Sequence, residues 1–249
     1  FFFNNQGIPL TNLVQTMGMG VNSFPLLAIP FFILVGQLMN TGGMTKRIFD
    51  FANCIVGRIR GGLGHVNVLG SMIFAGMSGA AVADAAGLGN VEIKAMTENG
   101  YDLDYSVAIT AASATIGPII PPSIIMVVYG LTANVSVGRL FMGGIVPGII
   151  MGLSMMALNY YYALKRNFPV SSFPTLREFW NSFCRAFPAL ILPLIIVGGI
   201  LGGVFTPTEA GSVAAVYALF LGLFITKEIS LRDLPKIFVE TMLQTAQVG

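Results

Sequence analysis

One carboxylate, Asp84, stands in the apolar run from Leu63 to Val91, LGHVNVLGSMIFAGMSGAAVADAAGLGNV. A charge inside such a run is costly and usually serves an ion or solute path, although it can also cap a helix start or face a water-filled cavity. Just ahead of it, Gly76, Ser78 and Gly79 interrupt the run and place a hydroxyl beside a backbone break. A second break follows at Gly117-Pro118-Ile119-Ile120-Pro121-Pro122. Each proline removes an amide donor and clashes with the carbonyl four residues back, so several carbonyls between Ile116 and Pro122 lose helical partners. Stripped carbonyls suit a hard monovalent cation such as Na⁺, and the hydroxyls of Ser78, Thr115 and Ser123 can complete a shell. Helix ends at a break add partial charge, negative at the carboxyl end for a cation and positive at the amino end for a solute carboxylate.

Other chemistries fit less well. Gly76-Met77-Ser78-Gly79 has the outline of an intramembrane serine protease motif, but such a serine needs a histidine base. His65 is the one histidine, and it precedes Ser78 on the same arm. An isolated imidazole is no metal site either, and His65 is expected on an interfacial helix. Gly87-Leu88-Gly89 has Glu92 where a third glycine would stand, and no Walker A sequence exists. No enzyme, no organic cofactor and no ATP-driven step are expected.

The elements that position these residues follow from composition. Of 249 residues, 13 are basic and 11 acidic, 55% are hydrophobic, and the net charge is +2. With a mean hydropathy of +0.79, this is a chain whose solvent is largely lipid. Nucleic-acid binding is excluded by the lack of a basic excess. Cys54 and Cys184 have no CxxC spacing and are expected to pack as small hydrophobes. In a bilayer every long segment must be helical, so an all-α polytopic membrane protein is expected.

Residues 24 to 41 form a first span, with a carbonyl freed by Pro30, and Gly42-Gly43 ends it. Lys46, Arg47, Asp50, Arg58 and Arg60 mark a helix lying in the interface. In the run from 63 to 91, each arm of roughly 12 to 16 residues is too short to cross a core of about 30 Å. A re-entrant hairpin with its tip over Gly76 to Ala81 results. Residues 106 to 133 make one crossing from two half-helices. Further spans are expected over 140 to 163, 187 to 205 and 208 to 226, with a last apolar run from about Ile237. Gly144, Gly148 and Gly152 share one stripe suited to close packing, and Thr206-Pro207-Thr208-Glu209 reads as a capping box. In outline, 1–62 carries the first span and interfacial helix, 63–134 the hairpin and broken helix, and 135–249 the later spans. If the hairpin returns to its own side, segments 43 to 62, 92 to 104, 164 to 186 and 227 to 236 share a face. They hold every basic residue except Arg139, which makes that face cytoplasmic.

Blocks in this order, S23-F-P-L-L-A-I-P-F-F-I-L-V-G36, G76-M-S-G-A-A-V-A-D-A-A-G-L-G89, G100-Y-D, I116-G-P-I-I-P-P-S123, P147-G and F205-T-P-T-E-A210, closely resemble the large membrane subunit of TRAP transporters, the DctM-like permeases. The resemblance runs over nearly the whole chain. It implies a Na⁺-coupled, binding-protein-dependent importer of organic acids, of the C4-dicarboxylate or sialic-acid class, in the bacterial inner membrane. It also implies an elevator-type secondary transporter built from inverted repeats, a small membrane subunit as partner, separate or fused, and a periplasmic binding protein. Carried onto this chain, Ser78, Gly79, Gly117, Pro118 and Ile120 would hold Na⁺. Ser78, Gly79, Ala80, Ala81, Asp84, Pro121, Pro122 and Ser123 would face the substrate. Ala80 replaces a serine found in many members, and the second repeat is expected beyond Gly249. A proton-coupled carrier using Asp84 and an ion channel are the rival readings.

Overall fold

The computed structural model describes residues 24–166, 168 and 175–248, with no side chain for Val248. The opening residues 1–23, counted above with the first segment, and most of the stretch between 167 and 174 lie outside the described residues. Every regular element described is helical.

A 3₁₀ turn at Phe24–Leu27 leads into α1, Ala28–Thr41. Pro30 is the third residue of α1, where the first-turn amides have no intrahelical acceptor in any case. Gly43 turns the chain with φ +68°, a conformation glycine adopts without strain, and α2 follows at Met44–Val56. Ile48, Phe49, Ala52 and Val56 are buried on its apolar stripe, and the helix packs against its neighbours in the fold rather than lying free.

Gly62–Ser78 forms α3 and Ala81–Glu98 forms α4, of 17 and 18 residues. Only Gly79 and Ala80 stand outside helix, so the bend is tighter than the Gly76 to Ala81 turn expected. The second arm runs past residue 91, because Glu92, Lys94 and Glu98 are good helix formers and Lys94 pairs with Glu98 one turn on. At about 1.5 Å per residue the arms are about 26 Å long, longer than expected. They are antiparallel: Asn67 near the base of α3 reaches Met96 near the far end of α4, and Gly70 lies against Leu88.

The broken crossing consists of α5, Leu103–Ala114, and α6, Ile124–Thr132, with Thr115 to Ser123 outside helix. Then come α7, Val137–Arg166, α8, Leu176–Pro193, and α9, Pro207–Phe220, with α10 at Leu234–Val248. After Pro193 the helix widens into a π turn at Leu194–Gly198 and continues to Leu201, a common response to an interrupted hydrogen-bond ladder. The α8 helix starts about ten residues before the expected span. Thr175 and Glu178 cap it reciprocally, as Thr206 and Glu209 cap α9 in the box read from the sequence. Among the described residues, four helical stretches are long and apolar enough to cross a membrane: Phe24–Thr41, Val137–Arg166, Leu176–Leu201 and Pro207–Ile225.

The central element is α3, which packs against α1, α2, α4, α5, α7 and α8. It is buried on all sides, as a helix must be when neighbours surround it. Its base is tied to α7 by Asn159, whose Nδ2 donates to the Gly61 carbonyl at 3.1 Å while its Oδ1 accepts from the Tyr105 hydroxyl at 2.5 Å. The four basic segments do meet on one side. Arg47 pairs with Glu228 at 3.4 Å, Arg166 with Asp102 at 2.7 Å, and the Cys54 thiol lies 3.4 Å from the Ser182 hydroxyl. Cys184, expected to be packed, is exposed. His65, expected at an interface, is 3% exposed in the first turn of α3.

The glycine stripe of α7 bears on the break. A side chain at Gly144 would collide with the Ile119 carbonyl oxygen, one at Gly148 with the Ile120 side chain, and one at Gly152 with Met72. Gly143, one residue away, faces open space. Gly144→Ala is therefore expected to destabilise the protein by about 1–3 kcal/mol through overpacking against backbone. Gly143→Ala should be neutral or slightly stabilising. Thermal unfolding of the two variants in detergent checks the contrast, and equal unfolding temperatures would refute it.

Candidate functional site

The hairpin tip docks on the broken crossing through backbone. Gly79 ends α3 with φ +63°, and its carbonyl accepts from the Ile124 amide at 3.3 Å. A side chain on Gly79 would strike the Pro122 carbonyl, and its nearest further neighbour is Ser123 Cα at 3.2 Å. Across the contact, a Cβ on Gly117 would stand 3.2 Å from the Ala80 carbonyl carbon and 3.3 Å from the Ala81 amide nitrogen. Two glycines, one from each bend, thus let two stretches of non-helical backbone touch. Gly36 of α1 closes the third side, a Cβ there lying 3.3 Å from the Ser78 Cβ.

Four helix ends converge at this point: the carboxyl ends of α3 and α5 and the amino ends of α4 and α6. Within the break, the Ile119 and Ile120 amides both donate to the Ile116 carbonyl, at 2.9 and 3.0 Å. No backbone amide among the described residues donates to the carbonyls of Gly117, Ile120, Pro121 or Pro122. The bends therefore present oxygens without helical partners beside two negative helix ends. They also present, at the starts of α4 and α6, the positive ends that favour an anion.

The sequence-derived site residues separate into groups. Ser78, Gly79, Ala80, Ala81, Gly117, Pro122 and Ser123 are brought together, and Pro121 lies beside Gly76. Ser78 is 1% exposed and its hydroxyl has no hydrogen-bond partner, which leaves it available as a ligand. The hydroxyl of Ser123 is already committed: it donates to the Pro118 carbonyl at 2.6 Å and caps α6 by accepting from the Met126 amide at 3.2 Å. That bond also occupies the Pro118 oxygen. Thr115 turns away, its hydroxyl donating to the Ala112 carbonyl at 2.6 Å. The Ile120 side chain faces Gly148 of α7, so only its carbonyl remains as a donor atom. Ala80 and Ala81 are half-buried at the tip, and Val82 beside them is exposed.

Asp84 sits one turn above the tip on the inward face of α4, 1% exposed and without a hydrogen-bond partner. The Ser71 hydroxyl is close enough to act on it, but donates instead to Ser113 at 3.1 Å. Behind the tip lies a buried polar cluster that the sequence reading did not single out. Asn67 Nδ2 donates to Thr110 Oγ1 at 2.6 Å, and the Ser113 hydroxyl donates to Asn67 Oδ1 at 2.6 Å. The signal was present as spacing: Asn67 and Ser71 are four apart, Thr110 and Ser113 three apart, so each pair shares a helix face. Glu92, at the start of the segment 92 to 104 expected beyond the hairpin, lies two turns past Asp84 on the same side of α4. It is 1% exposed. No group of three or more His, Cys, Asp or Glu among the described residues is arranged to hold a metal ion, so an ion at the bends would rest on backbone and hydroxyl oxygen.

The sequence also matches known proteins. The family model of the tripartite ATP-independent periplasmic transporter, DctM component, matches residues 1–249. The sialic acid TRAP transporter large permease protein SiaM of Vibrio cholerae is 45% identical over 246 residues, covering 99% of this chain and 57% of that protein. The sialic acid TRAP transporter permease protein SiaT of Haemophilus influenzae is 50% identical over 229 residues, 92% of this chain and 37% of its own length. The C4-dicarboxylate TRAP transporter large permease protein DctM of Pseudomonas aeruginosa is 44% identical over 218 residues, 88% and 51% of the two chains. The chain thus spans between about a third and three fifths of the length of these relatives. With a family match from end to end, the chain belongs to the DctM component family of the tripartite ATP-independent periplasmic transporters.

Proposed function

We propose that this chain carries the first ion-binding half of a Na⁺-coupled permease that imports organic acids across the bacterial inner membrane. The reading rests on one observation above all: the Gly79 and Pro122 bends touch, and unpaired carbonyls crowd their junction. Na⁺ is bound there by the carbonyls of Gly117 and Ile120 and by the Ser78 hydroxyl, with the Gly79 carbonyl, which already accepts from the Ile124 amide, contributing its second lone pair. A bound ion ties the tip to the break, and the ordered tip then offers the amino ends of α4 and α6 to a solute carboxylate. Coupling arises because the ion favours the tip arrangement that binds solute, and by linkage the solute raises the affinity for the ion. The hairpin is re-entrant, both of its ends lying on the cytoplasmic side, and it moves with the broken helix as an elevator body against α1, α9 and α10.

Sialic acid and C4-dicarboxylates, the solutes in the relatives' names, are organic acids that such positive helix ends suit. A periplasmic binding protein delivers the solute, and a small membrane subunit braces the scaffold. The chain is read as a permease and not as an enzyme, in keeping with relatives that are named as transporter permease proteins.

A second reading keeps the same carrier but drives it with protons through Asp84, favoured by that residue's burial without a hydrogen-bond partner. The two are separated by uptake in proteoliposomes holding the full-length permease with its partners. Ser78→Ala is expected to raise the Na⁺ concentration for half-maximal uptake by about tenfold, the worth of one lost charge-assisted contact of about 1.4 kcal/mol. An unchanged Na⁺ dependence would remove the hydroxyl from the site. Gly79→Ala, forced into a left-handed conformation against the Pro122 carbonyl, is expected to abolish Na⁺-dependent uptake in protein that still reaches the membrane. For Asp84→Asn, the sodium reading requires that uptake stay Na⁺-driven; uptake that was proton-driven in the parent and is lost in this variant would establish the second.

A further inference from the structure

Among the buried groups that the bends do not use, Glu92 is the most anomalous. It lies in the middle of α4, 1% exposed, and neither carboxylate oxygen has a hydrogen-bond partner. Its position is built, not accidental. Gly70 of α3 has no side chain, and Glu92 Oε1 occupies the space 3.2 Å from where a Cβ would stand. One turn back along α4, Gly89 gives the same close approach to Thr110 of α5, where a Cβ would stand 2.9 Å from the threonine methyl. The carboxylate thus lies at the contact of α4 with α3, while Gly89 brings the same helix against α5; Asn67 and Ser71 of α3 and Thr110 and Ser113 of α5, all four nearly or wholly buried, form the polar cluster between those two helices.

That cluster does not neutralise it. The Ser71 hydroxyl donates to Ser113, Ser113 to Asn67 Oδ1, and Asn67 Nδ2 to Thr110 Oγ1, and among the described residues none of these groups donates to the Glu92 carboxylate. The charged and titratable groups on every helix packed around Glu92 offer no counter-ion either. On α4 itself, Lys94 is exposed and pairs with Glu98, and Asp84 is the one group that acts on Glu92 electrostatically. On α3 there is His65, on α5 Asp104 and Tyr105, on α2 Lys46, Arg47, Asp50 and Cys54, and on α1 none. Arg47 is committed to Glu228, and Tyr105 to Asn159. A bare carboxylate sealed in such a place is strongly disfavoured unless a positive ion shares it.

We propose that Glu92, with the Asn67–Ser71–Thr110–Ser113 cluster, is a monovalent-cation site in the shaft of the hairpin, separate from the bends. Its ligand is a proton or a Na⁺ ion, small cations suited to a carboxylate packed closely against Gly70. The site lies more than two turns of α4 from the tip, so it is independent of whatever the bends bind. Resting on the reading of the hairpin as a moving body, its consequence is that Glu92 adds no charge to the shaft while the shaft shifts within the membrane.

The test is linkage in the full-length permease, following thermal unfolding against Na⁺ concentration and against pH for the parent and for Glu92→Gln. The slope of stability against the logarithm of a ligand's concentration counts the ions bound on folding. If the ligand is Na⁺, Glu92→Gln lowers the sodium count by one and leaves the pH slope alone; if it is a proton, the reverse holds. Either result supports the site, and slopes unchanged in both titrations overturn it. Glu92→Asp keeps the carboxylate but withdraws it by one methylene, and is expected to move the midpoint of the responsive titration by about tenfold. Should Glu92→Gln not fold, an unmoved midpoint in Glu92→Asp overturns the proposal on its own.

Discussion

The hydrogen bond from the Ile124 amide to the Gly79 carbonyl joins the carboxyl end of one helix to the amino end of another that is distant in sequence. Both groups would be orphans in an isolated helix, since the last carbonyls and first amides have no partner along their own chain. In a lipid-like interior each orphan is expensive, so the ends must find one another or a ligand. The rest of the architecture follows from that constraint. The arms of the hairpin must be long enough to bring Gly79 to the level of the prolines. The α7 helix must come close enough for Gly144 and Gly148 to cradle Ile119 and Ile120, and α1 must approach at Gly36 to cover Ser78.

Glycine at these places acts through absence. At Gly79 it permits both the left-handed turn and the approach of the Pro122 carbonyl, two demands that no other residue meets together. At Gly117, Gly36 and Gly144 the backbone is ordinary and only the missing side chain matters. Close backbone approach concentrates carbonyl dipoles in a small volume. Such a junction can hold an ion without any acidic ligand, which fits the separation of Asp84 and Glu92 from the tip.

The buried polar cluster of Asn67, Ser71, Thr110 and Ser113 serves a different end. It joins α3 to α5 by directional bonds, so the hairpin and the first half of the broken crossing are positioned relative to one another and not merely packed. Asn159 does the same for the hairpin base and α7. Between these two anchors the tip has one place to go.

Much of this was legible in the chain itself. Low charge and long apolar runs leave helices as the only affordable backbone, the prolines at 118, 121 and 122 forbid a continuous crossing, and Thr206 with Glu209 announces a helix start. These are local properties, decided within a few residues of where they act. What local spacing could not decide was whether Gly79 would reach Pro122, since that depends on how three other helices hold α3. Nor could it tell that Ser123 would commit its hydroxyl to the Pro118 carbonyl, or that Glu92 would be buried against Gly70. Burial is a property of neighbours distant in sequence, and only the packed structure specifies who those neighbours are.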